Sequence, residues 1–141
     1  MLRLRQQRGQ AGEDAAARFL QARGYRIIAR NWRPGKESSG ALRGEVDCIA
    51  WHGQILCFVE VKARTSNERG APQEAVTSAK QRQLSRLANA YLSIHRLADT
   101  PCRFDVVEVW LSPDNATQPR VALHQNAFDY CEGPRRGSQI F

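Results

Sequence analysis

Lysine is scarce in this chain. Of 21 basic residues only three, Lys36, Lys62 and Lys80, are lysine, and the others are arginine. Where a plain positive charge is wanted the sequence uses arginine, so a lysine at a defined place points to a use for a compact ammonium. Long apolar runs are missing too. No stretch approaches the ~20 residues of a membrane helix. The opening "MLRLRQQRGQ" is basic but lacks the apolar segment and small-residue cleavage site of a secretory signal. A cytoplasmic protein with no membrane partner is the expectation. The four cysteines, at 48, 57, 102 and 131, form no C-x-x-C pair and have no histidine at zinc-finger spacing. At 141 residues the chain is about one domain's worth, long enough to bury a core without staples. The cysteines are therefore expected to be reduced, buried thiols. Cys48 and Cys57 are placed to face each other across a hairpin, where two small core residues are favoured over a cytosolic disulfide.

Acidic residues are sparse in one third of the chain. Residues 1–44 hold ten Lys and Arg against Glu13, Asp14 and Glu37, while the remainder holds eleven of each sign. The whole net charge of +7 therefore lies upstream of residue 45. Such a concentrated excess suits a phosphate-binding face. Solvated arginine on a helix is the plainer alternative, and charge alone leaves both open.

Hydrophobic periodicity organises the rest into a single domain, 1–141. "GQAGEDAAARFLQARGY" reads as a helix from Gly9 to Arg23, with Gly24 where a C-terminal stop belongs. "YRIIARNW" is a short strand. Residues 33–43, within "RPGKESSGALRG", have no apolar period and are expected to be a mobile loop. "GEVDCIAWHGQILCFVEVKA" reads as a β-hairpin, two alternating runs around a His-Gly turn. Apolar residues at 76, 79, 84, 87, 88, 91 and 94 mark a long helix from Ala75 to His95. "CRFDVVEVWL" is apolar enough for a central strand, "RVALHQ" is a last, shorter one, and 131–141 is a loose tail. The order of helix, three strands, helix and strand implies an α/β fold with a mixed sheet flanked by helices, the second helix being a crossover.

The hairpin carries charges that a half-buried strand would avoid. Side chains alternate faces along a strand, so Glu60 and Lys62 point together, as do Glu45 and Asp47. A two-residue loop at His52-Gly53 sets Glu45 opposite Glu60, with Asp47 diagonal to it. A four-residue loop keeps the same parity. Any register whose paired numbers add to an odd value gathers Asp47, Glu60 and Lys62 on one side, and an even value separates them. Two adjacent carboxylates repel unless a cation lies between them. A divalent metal suits, because Mg²⁺ (or Mn²⁺) takes one or two carboxylates, waters and phosphate oxygens. Lys62 is placed to orient a water or to stabilise phosphoryl charge. Glu13 lines up with Ala16, Ala17 and Leu20, which makes it either an inward third acid or a charge favoured by the helix dipole. Lys80 interrupts the apolar stripe of the long helix in the same way. It either points inward or lays its stem on the core with its ammonium in water.

The pattern "GEDAAARFL…GYRIIARNWR…GEVDCIA…FVEVKAR…RFDVVEV" resembles the YraN family, small bacterial proteins with a restriction-endonuclease-like, PD-(D/E)XK fold. The resemblance spans Gly9 to Phe128. It implies an αβββαβ core distantly similar to archaeal Holliday-junction resolvases. It also implies Asp47 and Glu60 as metal-binding acids, Lys62 as the catalytic lysine, Glu13 as a helix-borne acid and the Val61 backbone carbonyl as a further ligand. Val46 stands where the motif's proline would be, as an apolar residue does in the family itself.

The reading that follows is a metal-dependent phosphodiesterase acting on DNA, with branched DNA as the implied form. Arg30, Arg33, Lys36, Arg43, Arg64 and Lys80 are the candidate phosphate contacts, and cutting a junction requires two sites, hence a homodimer. A non-catalytic nucleic-acid-binding adaptor and a purely structural salt-bridged hairpin are the competing readings.

Overall fold

The computed structural model describes residues 2–35, 42–64, 76–111 and 119–131. Most of the loop at 33–43 and of the tail at 131–141 lies outside them. Helix α1 (Leu2–Ala22) begins well upstream of Gly9, because "LRLRQQR" is made of good helix formers and contains no breaker. It stops at Gly24, whose φ of +91° only glycine adopts readily. Tyr25 N–H donates to Leu20 O at 3.0 Å and Gly24 N–H to Gln21 O at 3.1 Å, a Schellman motif in which Tyr25 and Leu20 share one core cluster.

Strand β1 (Arg26–Trp32) leads to β2 (Val46–His52) and β3 (Ile55–Arg64). Gly53, at φ +62°, and Gln54 make the two-residue turn, the Gly-X form that suits right-twisted strands. Helix α2 (Ser78–Ile94) is capped by Thr77, whose hydroxyl accepts from Lys80 N–H at 3.2 Å. Strand β4 (Cys102–Trp110) then runs parallel to β3, so α2 is the crossover that a parallel pair needs. Strand β5 (Arg120–Phe128) is longer than "RVALHQ". A register shift between Phe104 and Val106 lets it continue until Phe128 stacks on Phe104, ring centres 4.9 Å apart.

The result is a mixed five-stranded sheet in the order β1-β2-β3-β4-β5, antiparallel except at β3·β4. Its two faces carry separate cores. On one face Leu84, Leu87, Ala88 and Leu92 of α2 pack with Ile49, Phe58, Phe104 and Val106. On the other, Ala15, Ala16 and Leu20 of α1 pack with Cys48, Cys57, Val59 and Val107. Cys48, Cys57 and Cys102 are buried, but Cys131 is exposed, because it follows the last strand and meets only the edge of α2, its amide donating to Ser85 Oγ and its thiol to Gln81 Oε1. No helix among the described residues is long and apolar enough to cross a membrane.

Candidate functional site

The hairpin pairs Cys48 with Val59, Ala50 with Cys57 and His52 with Ile55, so paired numbers add to 107. The parity is odd, which keeps Asp47 on the side of Glu60 and Lys62. The register itself differs from both expected forms, because the turn falls on Gly53-Gln54 rather than His52-Gly53. The ladder ends at Cys48↔Val59, and just beyond it Asp47 and Glu60 lie close enough to act on each other's titration. Asp47 Oδ2 accepts the Val61 amide at 2.8 Å, so its carboxylate takes a hydrogen bond from the residue between Glu60 and Lys62.

Burial raises the Asp47 pKa, the charge of Glu13 adds to this, and the Val61 amide opposes it. Burial and the adjoining Asp47 carboxyl push Glu60 up to about 8 against the pull of Lys80 and Lys62. Among the described residues, Glu60 Oε1 is buried without a hydrogen-bond partner. Lys80 Nζ, from α2, stands 4.0 Å from Glu60 Oε2, which resolves its two readings in favour of an inward ammonium. Lys62 makes no ion pair within 4.0 Å among the described residues, and its charge acts on Glu60 from further off.

A second group of acids overlaps the first. One carboxylate oxygen each of Glu13, Glu45 and Asp47 lie within 4.8 Å of one another. Glu13 comes from α1, where Ala16 and Leu20 on the same stripe are buried, so it belongs to the inward face. Asn31, at the end of β1, bridges Glu13 and Glu45: its Nδ2 donates to Glu13 Oε1 at 2.9 Å and to Glu45 Oε1 at 3.4 Å. Its φ of +51° is a conformation that asparagine tolerates better than most residues. Arg33 Nε donates to Glu45 Oε2 at 3.1 Å. Four carboxylates thus converge at one end of the sheet, with Asp47 common to both groups. Sequence reasoning left Glu45 without a role and missed Asn31. Glu45 signalled itself only through the E-x-D spacing.

The expected phosphate contacts divide. Arg33 is largely exposed at the rim of this site, and Arg43 is exposed beside it, its carbonyl accepting from Gln83. Arg30 is paired with Asp14 at 2.8 Å. Lys36 lies outside the described residues. Arg64 engages Glu108 through Nε, with side chains 7% and 6% exposed, so this candidate contact faces a buried partner from β4. His124 Nε2 meets the other oxygen of Glu108 at 2.7 Å.

Fold and site together define a small mixed α/β protein with a carboxylate cluster and two lysines at one end of its sheet. The chain belongs to uncharacterised protein family UPF0102, the YraN family, whose profile its residues 12–109 match. A UPF0102 protein of Symbiobacterium thermophilum is 54% identical over 120 residues, covering 85% of this chain and 94% of that protein. One from Moorella thermoacetica is 45% identical over 122 residues, covering 86% and 92%. One from Prosthecochloris aestuarii is 46% identical over 101 residues, covering 72% and 74%.

Proposed function

We propose that the protein is a metal-dependent phosphodiesterase acting on DNA in the cytoplasm, built on a restriction-endonuclease-like core. The observation that carries the reading is the buried carboxyl pair of Asp47 and Glu60, whose charge Lys80 balances only in part. Glu60 keeps a buried oxygen without a partner beside Asp47, and two further acids adjoin it. A divalent cation is the group that satisfies such oxygens. The donors are all hard oxygens, which suits Mg²⁺ or Mn²⁺ and not zinc. Asp47, Glu60 and the Val61 carbonyl would hold it, assisted by Glu13, with Glu45 a candidate fifth ligand. When bound, the metal supplies Lewis acidity toward a phosphate oxygen.

The chain's own groups do the rest. Lys62, with no close ion pair among the described residues, would orient the attacking water or neutralise charge growing on the phosphoryl oxygens. Asn31 fixes the directions of Glu13 and Glu45. Lys80 keeps part of the carboxylate charge balanced before substrate arrives. Arg33, Arg43 and Lys36, all in the basic N-terminal third, are the proposed contacts to flanking phosphates, which implies affinity that falls steeply with salt. Branched DNA is the proposed substrate form, cut by a homodimer.

The test uses end-labelled linear, flapped and four-way-junction DNA with Mg²⁺ or Mn²⁺. D47A and E60A are expected to lower cleavage by about 10² to 10³, the several kcal/mol that such a metal contributes, while DNA binding persists. A wild type that binds these DNAs but cuts none of them with either metal would make the protein an adaptor instead.

A further inference from the structure

Beyond the acid cluster, β3 carries Lys62 and Arg64 on the same side as Glu60. Two of the three have already been placed by their partners, Glu60 against Lys80 and Arg64 against Glu108. Lys62 stands directly across from Glu108 in the parallel β3·β4 register. The two side chains leave the same face of the sheet. Phe58 pairs with Phe104 and both lie in the α2-side core, and Lys62 and Glu108 follow them at even spacing.

Glu108 is 4% exposed. A carboxylate that deep in a protein takes a cation if one is within reach, because leaving it unpaired is expensive. Lys62, its neighbour in register, is the nearest lysine along the sheet, yet the pair is not formed. Glu108 is instead engaged through both of its oxygens, from two other sides. Arg64 Nε engages Oε2, and His124 Nε2, reaching over from β5, meets Oε1 at 2.7 Å. His124 pairs in register with Val106, which in turn pairs with Glu60. The Arg64–Glu108–His124 group is therefore the flank of the same surface that carries Glu60, not a separate part of the core.

We propose that Arg64 and His124 are positioning residues for Lys62: by occupying both oxygens of Glu108 they keep the Lys62 ammonium from being captured by it, and leave it facing Glu60 and the phosphate to be cut. The role toward phosphate rests on the nuclease reading, while the effect on Lys62 does not. Among the described residues, the charged and titratable groups that this part of the sheet and α2 present are Asp47 of β2, Glu60 and Arg64 of β3, Glu108 of β4, His124 of β5 and Lys80 of α2. Of these, Glu108 is the carboxylate whose partner can be removed without touching the acid cluster. The guanidinium suits this role because its fork is charged at every working pH and holds a carboxylate in a fixed geometry.

The chain's scarcity of lysine makes the test direct. Protein labelled with ¹³C at lysine Cε gives three signals, which K36R, K62R and K80R assign. In metal-free wild type the Lys62 head group is expected to be mobile, with an order parameter below about 0.6. In R64M it is expected to stiffen toward about 0.85 as Glu108 captures it. In R64M/E108Q it returns to the wild-type value. R64K, which keeps a cation on Glu108, is expected to leave Lys62 mobile, and H124A to stiffen it partly. These two variants decide the matter if R64M does not fold. A Lys62 signal that is unchanged in R64M and in H124A, or that E108Q fails to restore, overturns the proposal. A merely structural role for Arg64 lowers the melting temperature without moving that signal. In the cleavage assay, R64M is expected to lose about tenfold or more in kcat with KM for DNA unchanged, and E108Q to recover it. If the wild type cuts nothing, the nuclease reading falls and the lysine relaxation still decides the role of Arg64.

Discussion

The Asp47 carboxylate is hydrogen-bonded to the Val61 amide at 2.8 Å, which ties the first acid of the site to the strand that carries the second acid and the lysine. The regular β2·β3 ladder gives its last pair at Cys48 and Val59, and from there a side chain takes over as the acceptor. Position is thus maintained by an acceptor oxygen and not by charge.

Two substitutions at 47 separate these contributions. D47N retains an acceptor for the Val61 amide and removes one of the like charges. It is expected to melt at or above the wild-type temperature without metal, and to lose the stabilisation that excess Mn²⁺ gives the wild type. D47L removes the acceptor as well and strands a buried N–H, at a cost of about 1–3 kcal/mol. Differential scanning fluorimetry with and without Mn²⁺ reads both. Equal melting of D47N and D47L would mean that the tether contributes nothing.

Glu60 gives the pH dependence. Its carboxyl is raised from the usual 4.5 to about 8 by burial and by Asp47, so the folded chain holds a proton that the unfolded chain has released. A raised pKa stabilises the fold fully below the unfolded value and is lost as pH climbs through the folded one. Metal-free wild type is therefore expected to lose stability between pH 5 and pH 9 relative to E60Q, which cannot ionise. At about 1.4 kcal/mol per tenfold shift in the proton equilibrium, the gap reaches about 2 kcal/mol or more at the alkaline end. Excess Mn²⁺ at pH 8 should close the gap in the wild type and leave E60Q unmoved. Urea titrations across that range, with parallel curves for the two proteins, would contradict it.

Much of this site was legible as periodicity. Alternation along "EVDCIA" and "FVEVKAR" placed Asp47, Glu60 and Lys62 on one side, and that depends on parity alone, which survived a turn placed one residue away from its expected position. The register was not legible, because His-Gly and Gly-Gln both make acceptable two-residue turns and the choice rests on the positive φ at Gly53. The meeting of Glu13, Asn31 and Glu45 was hidden for a different reason. It involves a strand with a register shift between Ile27 and Ala29 and a positive φ at Asn31 itself, and such irregularities leave no period behind. The partner of Arg64 was not legible, because alternation gives the face of a side chain but not what it meets. The partner, Glu108, lies 44 residues away on a strand joined only through the crossover.

At the other end of the sheet, Asp105 is fully buried and collects four donors. Tyr25 Oη donates at 2.8 Å, Arg103 donates through Nε at 2.8 Å and Nη2 at 3.0 Å, and the Asn126 amide donates at 2.9 Å. His52, stacked on Tyr25, adjoins Arg103 and lies at the opposite end of β2 from Asp47. D105N leaves a buried guanidinium without its counter-charge and is expected to cost about 3–5 kcal/mol. Y25F removes one hydrogen bond and should cost about 1–2 kcal/mol. The two losses should not add, because both residues belong to one network. Urea unfolding measures them. The Mn²⁺ response of Y25F should match that of wild type, and a loss of it would mean that the two ends of the sheet are coupled.

Gly44 links the site to α2 through close approach. Its φ is +100°, and a Cβ there would stand 2.5 Å from Nε2 and 2.8 Å from Cδ of Gln83, the residue whose Nε2 donates to Arg43 O. G44A therefore meets two penalties, a backbone conformation that disfavours side chains by about 1–2 kcal/mol and the displacement of Gln83. Only the second can be relieved. G44A/Q83A is expected to recover part of the stability lost in G44A and to remain below Q83A by about the conformational cost alone. Because Gly44 directly precedes Glu45, whose carboxylate is held by Asn31 and Arg33, the same strain should loosen that acid and weaken stabilisation by Mn²⁺ in both alanine variants. If Q83A by itself weakened the Mn²⁺ response as much as G44A does, the anchoring of Arg43 by α2, and not the glycine backbone, would be what orients the acids.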